Sequence, residues 1–199
     1  MTPMHKVLGA ATLIVLSLSA LGASVAQAQF TASSYPATIT GSSSLGNGEL
    51  KTEGGTIECA EHFQGTFTES TTKIKLTPSF TNCKAFGFLA AVIDLNGCNL
   101  WLYSGGTIDV DCPAGKVIEV TASSCVIHVM SQSGLGSTSI WSSGSHILVL
   151  MSVSNLTYYV TKDGFGCAFN GTGHKTGMSW IHNTFLTFTR IGGGSVSKD

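Results

Sequence analysis

From Phe30 onward, almost every segment of this chain alternates apolar with polar residues or is a run of β-branched ones. No stretch carries an amphipathic helical stripe of useful length. Turn signals recur at short spacing, as they do in sandwiches and barrels. The pattern predicts an all-β fold, an antiparallel β-sandwich burying the facing apolar sides of two sheets, with a closed β-barrel as the runner-up.

The strongest turn signal is Asn96-Gly97, between Leu89–Leu95 and Cys98–Tyr103. Asn-Gly favours a two-residue type I′ turn, because both positions need positive φ. A hairpin closed there pairs Leu95 with Cys98, Ile93 with Leu100 and Ala91 with Leu102. Ser104-Gly105-Gly106 then sets Leu102 opposite Ile108, Leu100 opposite Val110 and Cys98 opposite Cys112. Pro113-Ala114-Gly115 brings Val110 against Ile118 and Ile108 against Val120. Ser123-Ser124 brings Val120 against Ile127 and Ile118 against Val129. One face stays apolar throughout, and a slip of one residue would reverse it.

Upstream, Thr56–Thr68 and Lys73–Phe80 read as a hairpin. Downstream, His146–Val153 reads as a strand covered on both sides. Asp163-Gly164 predicts a hairpin of Thr157–Thr161 with Phe165–Asn170, placing Tyr158, Val160, Cys167 and Phe169 on one face. Thr184–Arg190 reads as a last strand. The Ser/Thr-rich stretch Thr38 to Ser44 and the tail 192–199 read as mobile.

The six cysteines fit this frame. Cys98 and Cys112 oppose each other across neighbouring strands, within disulfide reach. Cys59 and Cys83 bracket the upstream hairpin, which leaves Cys125 with Cys167. Six cysteines allow about fifteen connectivities, and the register itself specifies only the Cys98–Cys112 pair. No Cys-x-x-Cys or Cys/His spacing points to zinc or a redox motif.

Residues 1–28 read as a secretory signal peptide: a basic start ending at Lys6, an apolar run from Val7 to Val25, and the small-x-small site Ala26-Gln27-Ala28. The competing reading is an uncleaved membrane anchor. Export takes the thiols to an oxidising compartment, secreted or in the cell envelope, where they pair. The mature part, residues 29–191 with the tail 192–199, has one domain's worth of chain. Charged residues make up 11% of the sequence and Arg190 is the only arginine. Backbone-phosphate binding needs clustered Lys and Arg, so nucleic acid is excluded as a partner.

The predicted register lines up an outward row of Val92, Trp101, Asp109, Glu119 and His128, with Asp111 one step along beside Asn99. Asp109 facing Glu119 is unfavourable by about 0.8 kcal/mol at about 5 Å in water, which His128 offsets. Asp109, Glu119 and His128 are therefore the candidate metal or acid–base residues, against the alternative of a solvated polar ladder. Trp101 and Tyr103, at alternate positions of one strand, form a candidate stripe for stacking on a sugar ring. His174 and His182, near Trp180 in a Gly-rich stretch, are weaker metal candidates; His62 falls on no pattern. No Gly-x-Ser-x-Gly elbow is present, and no cofactor motif is found.

Tyr35-Pro36-Ala37-Thr38-Ile39-Thr40-Gly41, the block from Cys83 to Asn96-Gly97-Cys98, and Asp111-Cys112-Pro113 resemble a group of exported, cysteine-containing β proteins of actinobacteria. The resemblance implies a location outside the cytoplasm and no mechanism. The sequence thus points to an exported, non-catalytic binding or structural protein of the cell envelope, its partner an envelope glycan or another envelope protein. The alternatives are a carbohydrate-binding module using Trp101 and Tyr103, and a metal-dependent or acid–base hydrolase.

Overall fold

Three consecutive long strands organise the fold. They are β2 (Ala37–Thr52), β3 (Gly55–Phe67) and β4 (Lys73–Ala85), following the short β1 (Phe30–Ala32). The structure, a computed structural model, describes residues 28–164 and 167–199. The expected signal peptide, 1–28, lies outside the described residues except for Ala28. After β4 come β5 (Leu89–Asp94), β6 (Asn99–Tyr103), β7 (Ile108–Asp111), β8 (Ile118–Ala122), β9 (Cys125–Val129), β10 (Gln132–Leu135), β11 (Ser139–Ser143) and β12 (His146–Leu150). The chain ends with β13 (Ser152–Asp163), β14 (Gly173–His182), β15 (Leu186–Arg190) and β16 (Val196–Lys198).

Eight strands close into an antiparallel barrel in the order β2, β3, β4, β5, β8, β9, β13, β14, and β14 returns to β2 through Trp180 opposite Leu50. The other ends of the long strands carry additional ones. The start of β4 pairs β6, which continues to β7 and β10, while the start of β2 pairs β15, which continues to β12 and β11. The register of β2 shifts between Ser43 and Gly48, and that of β3 with β4 between Glu58 and Ala60. Unpaired extra residues bend a strand and increase its twist, which lets one ribbon take different neighbours along its length. The all-β class holds, and closure follows the barrel reading rather than the open sandwich.

The apolar parity read from the sequence is the parity observed. Leu100, Leu102, Ile108, Val110, Val120, Ile127 and Val129 are all buried in one core. Leu100 faces Val110 and Leu102 faces Ile108; Val120 faces Ile127 and Ile118 faces Val129. Two expected pairings are corrected. Asn96 and Gly97 do take positive φ, and Cys98 N donates to Leu95 O across the turn. Beyond it, however, β5 joins β8, with Ile93 opposite Val120, and β6 joins β4, with Leu100 opposite Leu76. Likewise β7 pairs β10 rather than β8. Alternation fixes which side of a strand is buried; any apolar-faced neighbour satisfies it, so the partner is left open.

The Asp163-Gly164 hairpin is also corrected. The β13 strand runs straight through Thr157–Thr161 and pairs β9 and β14. Residues 167–170 form no strand, although Tyr158 is buried and its ring lies 6.2 Å from that of Phe169. The segment Thr38 to Ser44 belongs to β2, since Ile39 is buried and Gly41 lies under the Phe188 ring, where a Cβ would come to 3.0 Å. The tail is no loose end: Val196 is fully buried and β16 pairs β1. Its Gly and Ser residues hid this single anchoring valine.

Cys59–Cys83, Cys98–Cys112 and Cys125–Cys167 are bonded, as expected, and no cysteine is free. The first two staple neighbouring strands, with Cα atoms 4.1 and 4.0 Å apart. The third ties the segment after β13 to the start of β9. Replacing Cys98 and Cys112 together by alanine is expected to lower stability by about 3 kcal/mol, the chain-entropy value for a loop of this size. A urea midpoint unchanged by the double substitution would show that the bond constrains nothing.

Candidate functional site

Closure divides the outward row expected from the sequence between two surfaces. On β6 and β7, Trp101 faces Asp109 and Asn99 faces Asp111. The Tyr103 hydroxyl donates to Asp109 Oδ2 at 2.8 Å, and Gly134 N donates to Asp109 Oδ1 at 2.7 Å. Trp101 Nε1 donates to Asp111 Oδ2 at 3.1 Å. The Lys73 ammonium sits 4.6 Å from the Trp101 ring centre, a cation–π contact. Trp101 and Tyr103 are half-buried on a polar sheet face that continues through Thr77 and Gln64. Accepting from Tyr103, the Asp109 carboxylate holds that phenol above the usual tyrosine range.

On the barrel wall, Glu119 and His128 are opposite one another, with Oε2 and Nε2 3.0 Å apart. The like charge facing Glu119 is Asp94 on β5, in the position expected for Asp109. Asp109 belongs to the other surface, because β7 does not pair β8. The trio Asp109, Glu119 and His128 is therefore not brought together, and among the described residues no three His, Cys, Asp or Glu side chains could jointly hold a metal ion. Val92 is exposed beside Thr121.

The row on this wall is longer than the sequence indicated. Asp94, Glu119, His128, Tyr159 and His174 are consecutive cross-strand partners on β5, β8, β9, β13 and β14. Tyr159 and His174 meet edge to face at 6.1 Å. His174 thus lies exposed on the outer wall, whereas His182 is buried at the other end of β14. His62 is exposed on β3, its Nε2 3.3 Å from Thr40 Oγ1.

Sequence reasoning missed a buried polar cluster. His182 Nε2 lies 2.8 Å from Glu61 Oε2, with side-chain exposures of 0% and 2%. The contact is off-axis for a hydrogen bond, and His182 Nδ1 has no partner among the described residues. Trp180 Nε1 donates to Glu61 Oε1 at 2.9 Å, and Ser43 Oγ donates to Oε2 at 3.4 Å. The carboxylate lies over Gly48, where a Cβ would fall 2.4 Å from Glu61 Cδ. The available signal was parity: Glu61 shares the inward face of β3 with Cys59 and Phe63. Sealed in this way, the cluster offers no route to substrate and acts as an internal tie between β3 and β14.

The barrel is filled. Beside Glu61 the interior leaves a space of about 40 Å³, lined by Leu50, Leu100, Met178 and Trp180 among others. Toward the Gly54–Gly55 end a second space measures about 30 Å³, under Phe86 and Phe169. Such volumes admit a water molecule or two, whereas small-molecule sites need about 300 Å³ or more. The larger recesses are on the outside. One of about 570 Å³ lies on β8, β9 and β13 beside Glu119 and His128, and one of about 320 Å³ lies between Gln64, Thr66, Lys75 and Thr77.

No family model, curated protein or solved structure matches this chain. Its class rests on its own features: an all-β barrel protein held by three disulfides. Such bonding fits an oxidising, extracytoplasmic environment.

Two predictions follow from this geometry. Glu61→Ala, which leaves the buried Trp180 Nε1 without its acceptor, is expected to cost about 1 to 3 kcal/mol, while Glu119→Ala on the exposed wall stays within about 1 kcal/mol; paired denaturation curves check both. In ultraviolet titration the Tyr103 phenol is expected to ionise above the ordinary tyrosine value of about 10. Asp109→Asn, which removes the charged acceptor that favours the protonated phenol, is expected to lower that transition.

Proposed function

We propose that this is an exported, non-catalytic binding protein acting at or outside the cell envelope, and that it binds through its outer sheet faces. One observation carries the reading: a closed barrel whose interior retains only about 40 and 30 Å³ of space. Eight-stranded barrels either fill with side chains or hold one ligand, and a filled one leaves only its outside for recognition. The carboxylates of Asp109 and Glu119 support the non-catalytic part, since each is engaged by neighbours on an open sheet face. Paired disulfides support export. The partner proposed is an envelope glycan or another envelope protein.

A second, finer reading is a carbohydrate-binding module on the Trp101–Tyr103 face. Two aromatic rings at alternate positions of β6, flanked by Lys73, Asn99, Asp109 and Asp111, combine stacking surface with hydrogen-bonding groups. The Lys73 ammonium over Trp101 would have to swing aside for a sugar.

The oxidised protein, immobilised and challenged with the producer's envelope fraction, is expected to retain a glycan or protein component reproducibly. Trp101→Ala separates the readings: loss of retention favours the β6 face, and unchanged retention directs attention to the barrel wall. No retention from any envelope fraction would contradict the binding reading altogether.

A further inference from the structure

From the geometry of the barrel wall we infer that the recess over β8, β9 and β13 is a binding site for a neutral saccharide chain, distinct from the Trp101–Tyr103 face. The inference rests on the binding reading above and names its site and ligand class. The recess has a local structural cause. Val160 faces Ile127 and Lys162 faces Val126, so two residues of β13 lie against one of β9. A bulge of this kind re-aims side chains, and here Thr161 and Lys162 both become exposed on the outer wall and line the recess. Val126 lies among the lining residues at 9% exposure, an apolar contact between polar walls. Thr161 Oγ1 donates to Val126 O at 3.1 Å, which leaves its oxygen as an acceptor.

The chemistry of the lining selects the ligand. Glu119 supplies carboxylate acceptors, Lys162 supplies donors, and Thr121 and His128 supply groups able to do either. A polyol chain needs this mixture, because each hydroxyl both donates and accepts. At the edge of the recess Tyr159, 44% exposed and directly opposite His128, offers a ring face for the C–H side of a pyranose. The about 570 Å³ of the recess is within the range of small-ligand sites, and its open form suits a chain lying across the strands. A polyanion is disfavoured by Asp94 and Glu119 side by side in the row. A metal ion is disfavoured by the lack of three converging ligands among the described residues. An apolar ligand would displace water from Glu119 and Lys162 and offer no hydrogen bond in return.

The test is nuclear magnetic resonance titration of the isotope-labelled, oxidised protein with neutral gluco-, manno-, chito- and arabinogalacto-oligosaccharides. At least one is expected to shift amides of 119–128 and 159–162, saturably. Tyr159→Ala and Glu119→Gln are each expected to weaken that binding by about tenfold or more, with Tyr159→Phe retaining it, since the ring and not the hydroxyl stacks. These positions are exposed, and an unchanged spectrum elsewhere verifies folding. Shifts confined to β6 and β7 and abolished by Trp101→Ala would overturn the wall site while leaving a glycan-binding protein. Absence of shifts with every sugar, together with retention of an envelope protein, would overturn the saccharide assignment and leave the broader binding reading standing.

Discussion

The structure depends on the two strands flanking β3, β2 and β4, being long enough to take different neighbours along their length. One half of each is needed to close the barrel, since β2 receives β14 and β4 hands on to β5. The other half supports the strands that extend the fold on either side. Backbone groups on a sheet edge are costly to bury and hazardous to expose. Closure removes that problem for the barrel, and the extra residues in β2 and β4 mark where the same ribbon turns the corner.

At this bend the core departs from simple apolar packing. Glu61, His182 and Trp180 come together where β14 rejoins β2, among the rings of Phe63 and Phe80. Buried polar contacts often add little net stability, but removing one partner leaves the other unsatisfied at a larger cost. Such a pair can fix a register that an apolar contact would leave free to slip. Gly48 is part of the same arrangement, because only a residue without a side chain leaves room for the carboxylate. The consequence for function is indirect: a closed, tied and filled interior turns recognition outward, onto strand faces where polar residues sit in ordered rows.

How much of this was legible in the sequence varied with the physics involved. Parity was legible, since Leu100, Val110, Val120 and Ile127 had to share a side and do. So were contacts made across short loops, Leu102 with Ile108 and Ile118 with Val129, and the Cys98–Cys112 bond that followed from the first of them. Long-range partners were not. Ile93 meets Val120 rather than Leu100, and either partner sets an apolar side chain opposite it. For this reason Asp109 and Glu119 separated, whereas Glu119 and His128, joined by a tight turn, stayed together. Tyr159 entered the wall row only through the pairing of β13 with β9, which no local signal announces.

The central claim is closure, because the filled interior and both outer faces follow from it. Cross-strand proton contacts in a nuclear magnetic resonance structure of the oxidised protein test it most directly. The account predicts contacts of Ile93 with Val120 and of Trp180 with Leu50, the second spanning the seam of the barrel. Contacts of Ile93 with Leu100 and none between Trp180 and Leu50 would mean an open meander, and would contradict it.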